Sequence, residues 1–410
     1  MARRRSSVGT RRISVPALTG GVSTQPQEQR FPNQVNEAIN VTVDMVRGLE
    51  KRDGTKLLGT AALPSTSAPI IGSHWFRRDD DELYLMIIQD KTITGATNSL
   101  RIFNVLDSTA GVVTECSVSY PGGNSTDAET YFTTTGGTCG FINISDTAFI
   151  YNDAVAVALD ASDLTSTYPD PDETNPRQIT LADWSSLGTP ASSGLYSYCT
   201  SDFPGHPSGW WKSISATTLP YWERARTPEA NSSFDTSTMP LQLRCTTKNT
   251  FEISVPSWVD RLAGDSDTNP GPSFVGQKIN SMSYFGGRLW VGAGQQLVSS
   301  QTEDLLNFWI DSYETLKDTD PIDLTVGSDS PMSIEHTVPY SKSLVVFTDT
   351  ERQFEVRAGT SGTLSPTNVQ LFDTTAYPRS TTRPTRINNL LYFPTNGGGA
   401  TRLYEYEVSE

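Results

Sequence analysis

Short apolar runs separated by turn residues recur along the chain, and this alternation constrains the fold more than any other feature of the sequence. Three runs resemble each other, at residues 287–291, 343–347 and 389–393, and each leads into a second apolar stretch. Leu289 and Leu344 are 55 positions apart, and Leu344 and Leu391 are 47 apart. A period near 50 built of short strands is typical of β-propeller blades. A plain meander or a sandwich with accidental spacing is the alternative.

Similar units begin earlier, at Leu83 and at Phe149. The apolar run at 83–88 is continuous, which favours a strand buried on both faces. Residues 141–144 and 148–151 flank a polar turn and predict a hairpin. One short helix is expected at residues 302–306, because Thr302 can cap a turn that is followed by acidic residues. The predicted fold class is therefore mainly β: a β-propeller with an N-terminal strand and arm segment and an inserted, irregular β-rich domain.

Composition divides the 410 residues into four predicted segments. Residues 1–60 form a basic arm and a docking segment, and residues 61–160 form the first propeller blades. Residues 161–280 are rich in Pro and hold five of the eight Trp, which predicts an inserted loop-rich domain. Residues 281–410 form further blades. Gly, Pro, Ser, Thr, Asn and Asp between the apolar runs provide the turns.

The chain is acidic, with a formal net charge of -15. This balance disfavours tight DNA binding, which depends on Lys and Arg contacts to phosphate. An acidic wall could still let a duplex slide past, although simple solubility is the favoured interpretation of the charge alone. The Arg-rich start is followed at 13–18 by a stretch too short and too polar for a signal peptide. No stretch approaches the roughly 20 apolar residues of a membrane helix, so membrane insertion is not expected.

Catalytic and metal-binding patterns are scarce. Four scattered cysteines have no metal or redox spacing and are predicted to be reduced core residues. His74, His206 and His336 lie in no nucleophile or metal motif, so packing or surface roles are favoured. Residues 265–269 begin like a calcium loop, but the glycine and the final glutamate that such a loop needs are both missing. The sequence therefore predicts no cofactor, no metal site and no enzyme activity.

The Trp residues between 184 and 258 leave two interpretations open. Their aromatic faces could stack on sugar rings. The favoured alternative is that they fill the core of the inserted domain or anchor a subunit interface.

Two stretches resemble the nozzle family, the tail tubular B proteins of short-tailed podovirus bacteriophages. The first covers residues 20–26 and 48–55, with Arg30 and Pro32 between them. The second and stronger stretch continues beyond position 323, and the residues that mark it are Gly264, Asp265, Thr268, Asn269, Pro270, Pro272, Phe274, Arg288, Asp320, Pro321 and Asp323. We expect these to be structural family residues, with residues 268–270 forming a fixed turn. Members of this family are typically much longer than this chain.

The resemblance implies a structural virion protein located in the tail and assembled in the host cytoplasm. Such subunits form a homo-hexameric tube below a ring of adaptor protein (tail tubular protein A), with tail fibres attached around the junction. The tube seals the tail and later conducts double-stranded DNA without binding it specifically. A glycan-binding propeller used in host recognition is the alternative, and a polysaccharide hydrolase ranks last because no carboxylate pair can be chosen.

Four basic residues oppose the overall sign of the chain: Arg30, Arg47, Lys51 and Arg52. We expect them to dock on an acidic face of the adaptor, since complementary charge steers association. A solvated basic turn is the alternative.

Overall fold

The computed structural model describes most of the chain in two units, residues 1–58 and 59–410. The described residues are 18–44, 46–55, 57, 60, 63, 68–90, 99–109, 111–121, 125–132, 136–160, 178–179, 196–199, 209–214, 221–225, 232–263, 268–312, 315–327, 331–359, 362–380, 382–388, 390–397 and 400–407. Within them the structure is mainly β, as predicted.

The first unit contains a short antiparallel hairpin, formed by β1 (Val41–Asp44) and β2 (Gly48–Lys51). The Asp44 carboxylate closes its turn by accepting hydrogen bonds from the backbone N–H groups of Val46, at 2.8 Å, and Arg47, at 2.7 Å. Gly48 has a φ of 85°, a left-handed conformation that a side chain would strain. The predicted N-terminal strand and arm segment therefore contains a two-stranded hairpin.

The second unit contains five sheets in a five-bladed β-propeller arrangement, which confirms the predicted fold class. Blade 1 consists of β3 (Ile70–Arg77), β4 (Leu83–Gln89), β5 (Leu100–Thr109) and β6 (Val112–Glu115). Blade 2 has the order β7-β15-β14-β9-β8, with β7 (Ser117–Ser119), β8 (Cys139–Ile144), β9 (Thr147–Asn152), β14 (Leu241–Thr247) and β15 (Thr250–Ser254). The hairpin expected at 141–151 is the pair β8 and β9.

The last three blades follow in chain order. Blade 3 consists of β16 (Ile279–Phe285), β17 (Arg288–Ala293), β18 (Gln296–Ser299) and β19 (Asp323–Thr325). Blade 4 consists of β20 (Ile334–Tyr340), β21 (Ser343–Thr348), β22 (Gln353–Ala358) and β23 (Val369–Thr375). Blade 5 consists of β24 (Thr385–Ile387), β25 (Leu390–Gly397) and β26 (Ala400–Tyr406). The three similar apolar runs of the sequence are β17, β21 and β25, the second strand of each blade.

The hydrophobic core lies between neighbouring blades. Successive side chains of a strand point to opposite faces, so each central strand packs against two neighbours. Leu344 and Val346 of β21 face blade 3, whereas Val345 and Phe347 face blade 5. Every residue of β17 and of β21 is buried. This two-sided burial explains why the runs are continuously apolar rather than alternating.

A four-stranded sheet interrupts blade 2 between β9 and β14. Its strands are β10 (Gln178–Ile179), β11 (Tyr196–Cys199), β12 (Gly209–Ile214) and β13 (Tyr221–Ala225). The first pair is parallel and the others are antiparallel. An inserted β-rich region is thus present, and the chain has returned to blade 2 by Leu241. The four segment boundaries given above stay a prediction.

Helix is almost absent from the described residues. The helix α1 is Ser125–Tyr131. The helix expected at 302–306 is wrong: Glu303 has a φ of 66°, and Gln301 pairs with Asp304 in an isolated bridge. The N–H groups of Thr302 and Glu303 donate instead to the carbonyls of Thr319 and Gly287. No helix in the described part of the chain is long and apolar enough to span a membrane.

Candidate functional site

Strands of four blades line an axial pocket of about 460 Å³. Blade 1 contributes through β3, blade 2 through β8 and β9, blade 3 through β16 and blade 4 through β20, and the segment before β24 contributes Arg383. The lining residues are Ser73, His74, Thr138, Cys139, Gly140, Phe141, Tyr151, Asp153, Asn280, Glu335, His336 and Arg383. We call this feature the axial pocket.

A repeated irregularity aims polar groups at the axial pocket. Three of the first strands carry a β-bulge at the same place, between Ile70 and Gly72, between Ile279 and Ser281, and between Ile334 and His336. The inserted residues are Ile71, Asn280 and Glu335. A bulge redirects a side chain out of the regular alternation, and bulges are frequent next to sites. Asn280 and Glu335 line the axial pocket for this reason.

One wall of the axial pocket is an imidazole stacked on a benzene ring. The rings of His74 and Phe141 are nearly parallel, with 5.1 Å between their centroids. His74 Nε2 also lies 2.9 Å from Asn143 Oδ1. Burial lowers the pKa of His74 and outweighs the effect of the hydrogen bond to Asn143, which raises it, while the nearby Arg383 lowers it further. The imidazole is therefore neutral at pH 7 and donates to the Asn143 oxygen.

The opposite wall presents two hydrogen-bond acceptors. Arg379 Nε donates to Glu335 Oε1 at 2.8 Å, and the second guanidinium donor meets the same oxygen. Glu335 Oε2 and His336 Nε2 are buried and have no partner among the described residues. Burial chiefly lowers the pKa of His336, and its hydrogen bond to the backbone of Ser380 raises it, as expected when the ring donates. A neutral imidazole has one N–H, so Nε2 is an acceptor here.

The remaining walls carry opposite charges. The Asp153 carboxylate accepts hydrogen bonds from the N–H of Thr138 at 2.6 Å and from its hydroxyl at 2.5 Å. Arg383 Nη1 donates to the carbonyl of Phe141 at 3.1 Å, which ties the segment before blade 5 to blade 2. No group of three or more metal-ligating side chains occurs in the described ranges. The arrangement can bind a polar ligand.

The axial pocket could not be predicted from any motif in the sequence. His74 and His336 lie in no motif, which favours packing or surface roles, and the structure brings both into one site. Alignment of the segments that precede the repeated apolar runs would have found it, because Ile70, Ile279 and Ile334 start equivalent strands. His206 lies outside the described residues.

Two of the family residues form a buried polar junction beside blade 3. The Arg288 guanidinium donates to three backbone carbonyls: Ser300 at 2.9 Å, Asp320 at 2.6 Å and Asp318 at 2.8 Å. The Asp320 carboxylate accepts the N–H of Lys317 at 2.7 Å. Both side chains are fully buried, and burial lowers the pKa of Arg288. Together they hold the loop between β18 and β19.

The other family residues surround the same loop. Asn269 Nδ2 donates to the carbonyls of Ala263 and Ile310, and Phe274 stacks at 5.9 Å on Phe234. The Asp323 carboxylate accepts both the N–H and the hydroxyl of Ser273. Thr268 and Pro270 are exposed, Pro272 is buried and Pro321 is half-buried. Gly264 and Asp265 lie outside the described residues.

The four predicted docking residues all lie in the first unit, but they do not form one cluster. Arg47 is at the hairpin turn, 74% exposed, and pairs with Glu50. Lys51 and Arg52 are at the other end of β2, about 13 Å away at the rise of an extended strand. Arg30 donates to the Gln25 carbonyl and to Asn36 Oδ1. Their docking role stays a prediction.

Two other predictions have clear outcomes. Cys116, Cys139 and Cys245 are free and buried, as expected, while the side chain of Cys199 lies outside the described residues. Trp258 packs against Phe149 and Phe308 in the core between blades 2 and 3, and not in a core of the inserted sheet. The other four Trp residues between 184 and 258 have no described side chain.

Comparison with known proteins identifies the family. The sequence profile of the bacteriophage nozzle proteins matches residues 10–180 and 209–410. The chain is 25% identical over 479 aligned positions to tail tubular protein gp12 of Escherichia phage T7, with 96% of the chain and 59% of gp12 covered. The chain therefore spans less than two thirds of that relative's length.

Two solved structures share weak similarity. An extracellular domain of a one-component system from B. thetaiotaomicron is 10% identical, with 90% of this chain and 47% of that one covered, at a TM-score of 0.26. The β-propeller domain of Cps50 (Swd1) from Myceliophteria thermophila is 9% identical. The match covers 83% of this chain and 87% of that one, at a TM-score of 0.25. Neither score carries an argument, whereas the profile matches most of the chain. The chain belongs to the bacteriophage nozzle protein family.

Proposed function

We propose that this chain is a structural, non-enzymatic subunit of a phage tail nozzle, in which six copies form a tube that conducts DNA. The observation that carries the proposal is the family match over residues 10–180 and 209–410. The relative named tail tubular protein supports a place in the tail of the virion. Assembly takes place in the host cytoplasm, before the tail is complete.

The fold supports a role as a stiff wall element. Four of the five blades have at least four strands, and apolar side chains join each blade to the next. Close-packed interiors have low compressibility, so a ring of such units resists internal pressure. Six identical copies around one axis need head-to-tail contacts that close into a ring.

The distribution of charge supports both DNA conduction and docking. The first 58 residues hold ten Lys and Arg against five Asp and Glu, so the remaining residues hold 21 against 41. An acidic second unit offers phosphates no strong binding site. A basic first unit suits docking on an acidic surface of the adaptor ring, and tail fibres attach around this junction.

The set of family residues has a structural role in this proposal. Arg288, Asp320, Asn269 and Asp323 fix the backbone of two loops beside blade 3 through hydrogen bonds to main-chain groups. Thr268 and Pro270 remain exposed at the surface of these loops. Rigid, exposed loops are suitable contact surfaces for neighbouring subunits.

Native mass spectrometry of the full chain mixed with the adaptor protein of the same virus tests this function. We expect a complex that contains six copies of the chain. A chain that stays monomeric with and without the adaptor, at every protein concentration up to the solubility limit, would contradict the proposal.

A charge variant tests the docking step separately. Replacing Arg47, Lys51 and Arg52 with Gln should weaken adaptor binding about tenfold or more at low salt, because complementary charges accelerate association. The matched control replaces Arg244, Lys248 and Lys278, three exposed basic residues of the second unit. Equal adaptor affinity in both triple variants would show that the hairpin does not dock.

A further inference from the structure

We propose that the axial pocket binds a neutral saccharide of one or two sugar rings. This inference stands on the pocket and does not depend on the nozzle function. The pocket volume of about 460 Å³ lies within the usual range of small-molecule sites, about 300–1,000 Å³. Four blades and the segment before blade 5 contribute to its lining, so the site is one that no single blade contains.

The polar groups of the axial pocket match hydroxyl groups. Arg383 offers hydrogen-bond donors only, whereas Glu335 Oε2 and His336 Nε2 are acceptors without partners among the described residues. Each sugar hydroxyl both donates and accepts, so one ring can meet both walls. A buried acceptor without a partner costs about 1–3 kcal/mol, and a ligand hydroxyl that reaches it after a small shift of the side chain offsets that cost.

The charges of the axial pocket disfavour ionic ligands. Arg383 would attract an anion, but Asp153 and Glu335 lie in the same lining. A cation would be attracted by Asp153 and Glu335 but repelled by Arg383. Arg379, which pairs with Glu335, repels it further. The two histidines are neutral because burial lowers their pKa values. A metal ion finds no group of three ligating side chains among the described residues.

Aromatic groups complete the site. Phe141 and Tyr151 line the axial pocket, and the stack of His74 on Phe141 fixes the position of the Phe141 ring. Both rings are largely buried, so they shape the wall and present only a small apolar surface to a ligand. The glycan-binding alternative is therefore assigned here to the axial pocket.

Isothermal titration calorimetry of the full chain tests this proposal. The probes are glucose, galactose, N-acetylglucosamine and maltose, with sodium phosphate as the anionic arm and putrescine as the cationic arm. We expect a millimolar Kd for at least one neutral sugar and a weaker response to both ions. The proposal is overturned if no sugar gives heat at about 50 mM, or if only phosphate or putrescine binds.

Two variants in the pocket lining locate the site, and a third variant outside it is the control. Arg383→Ala should weaken sugar binding about tenfold, since a hydrogen bond to a charged group is lost. Arg402→Ala in β26, outside the pocket lining, should leave binding unchanged. Glu335→Gln keeps the size of the side chain and should also weaken binding. Thermal melts confirm that each variant is folded. If folded Arg383→Ala and Glu335→Gln bind the sugar as tightly as the unmodified chain does, the sugar binds elsewhere and the assignment is overturned.

Discussion

At the scale of single residues, Arg288 shows how a family residue stabilises a loop. Its guanidinium binds three carbonyls from two segments, and an ammonium cannot reproduce this planar fork. Arg288→Lys should therefore lower the free energy of unfolding by about 3 kcal/mol, because buried donors and acceptors lose their partners. Urea unfolding measures the change. The exposed Arg402→Lys is the control, and equal losses in both variants would contradict this role.

The two pocket histidines predict a dependence of stability on pH. Burial lowers both pKa values from 6.5 in the folded chain, so below pH 6.5 the unfolded chain binds more protons than the folded one. The free energy of unfolding should therefore fall as the pH falls from about 7.5 to 5.5. In the variant with His74→Gln and His336→Gln this fall should be smaller. Thermal melts across the range test it, and parallel curves for the two proteins would refute it.

At the scale of elements, the Tyr151 ring of β9 lies so close to the paired Gly140 of β8 that this position requires a glycine. A Cβ on Gly140 of β8 would lie 2.1 Å from the Tyr151 ring of β9. Gly140→Ala should cost about 1–3 kcal/mol, because the buried ring has to shift. Gly327→Ala is the control, since its Cβ would meet no atom within 4 Å. Chemical denaturation of both variants gives the comparison, and a loss in Gly327→Ala as large as in Gly140→Ala would count against the argument.

The elements also show what the sequence could predict and what it could not. The strands β17, β21 and β25 were predictable because burial on both faces requires continuous apolar runs. The helix expected at 302–306 failed because Glu303 adopts a left-handed φ of 66° and Gln301 pairs with Asp304, a turn that an α-helix does not contain. Hydrogen bonds from Thr302 and Glu303 to the carbonyls of residues 319 and 287 hold this turn. A capping residue and acidic neighbours are local signals, and tertiary hydrogen bonds override them.

At the scale of the whole molecule, the blade arrangement was predictable from the repeat, but the axial pocket was not. Its lining comes from four blades and the segment before blade 5, and the positions run from Ser73 to Arg383. Two histidines 262 positions apart line the same pocket only because the blades are packed side by side. The bulges that turn Asn280 and Glu335 toward the axis leave no mark in a single-sequence pattern. A site of this kind depends on how the blades are arranged in space and not on a local sequence motif.

The acidic and basic residues of the whole molecule are unevenly divided between its two units. Acidic residues predominate in the unit that contains the propeller, and basic residues predominate in the first 58 residues. Such asymmetry suits a subunit that docks through one part and presents the other to DNA without retaining it.

The proposed nozzle function requires copies of this chain to form a ring around the tail axis of a short-tailed phage. A cryo-electron microscopy reconstruction of the virion tail, with the five-bladed propeller fitted to the density, tests this. We expect six propellers related by rotation around a DNA-sized channel below the adaptor ring. Tails whose density holds no copy of the propeller, or holds it only as single peripheral attachments, would contradict the proposal.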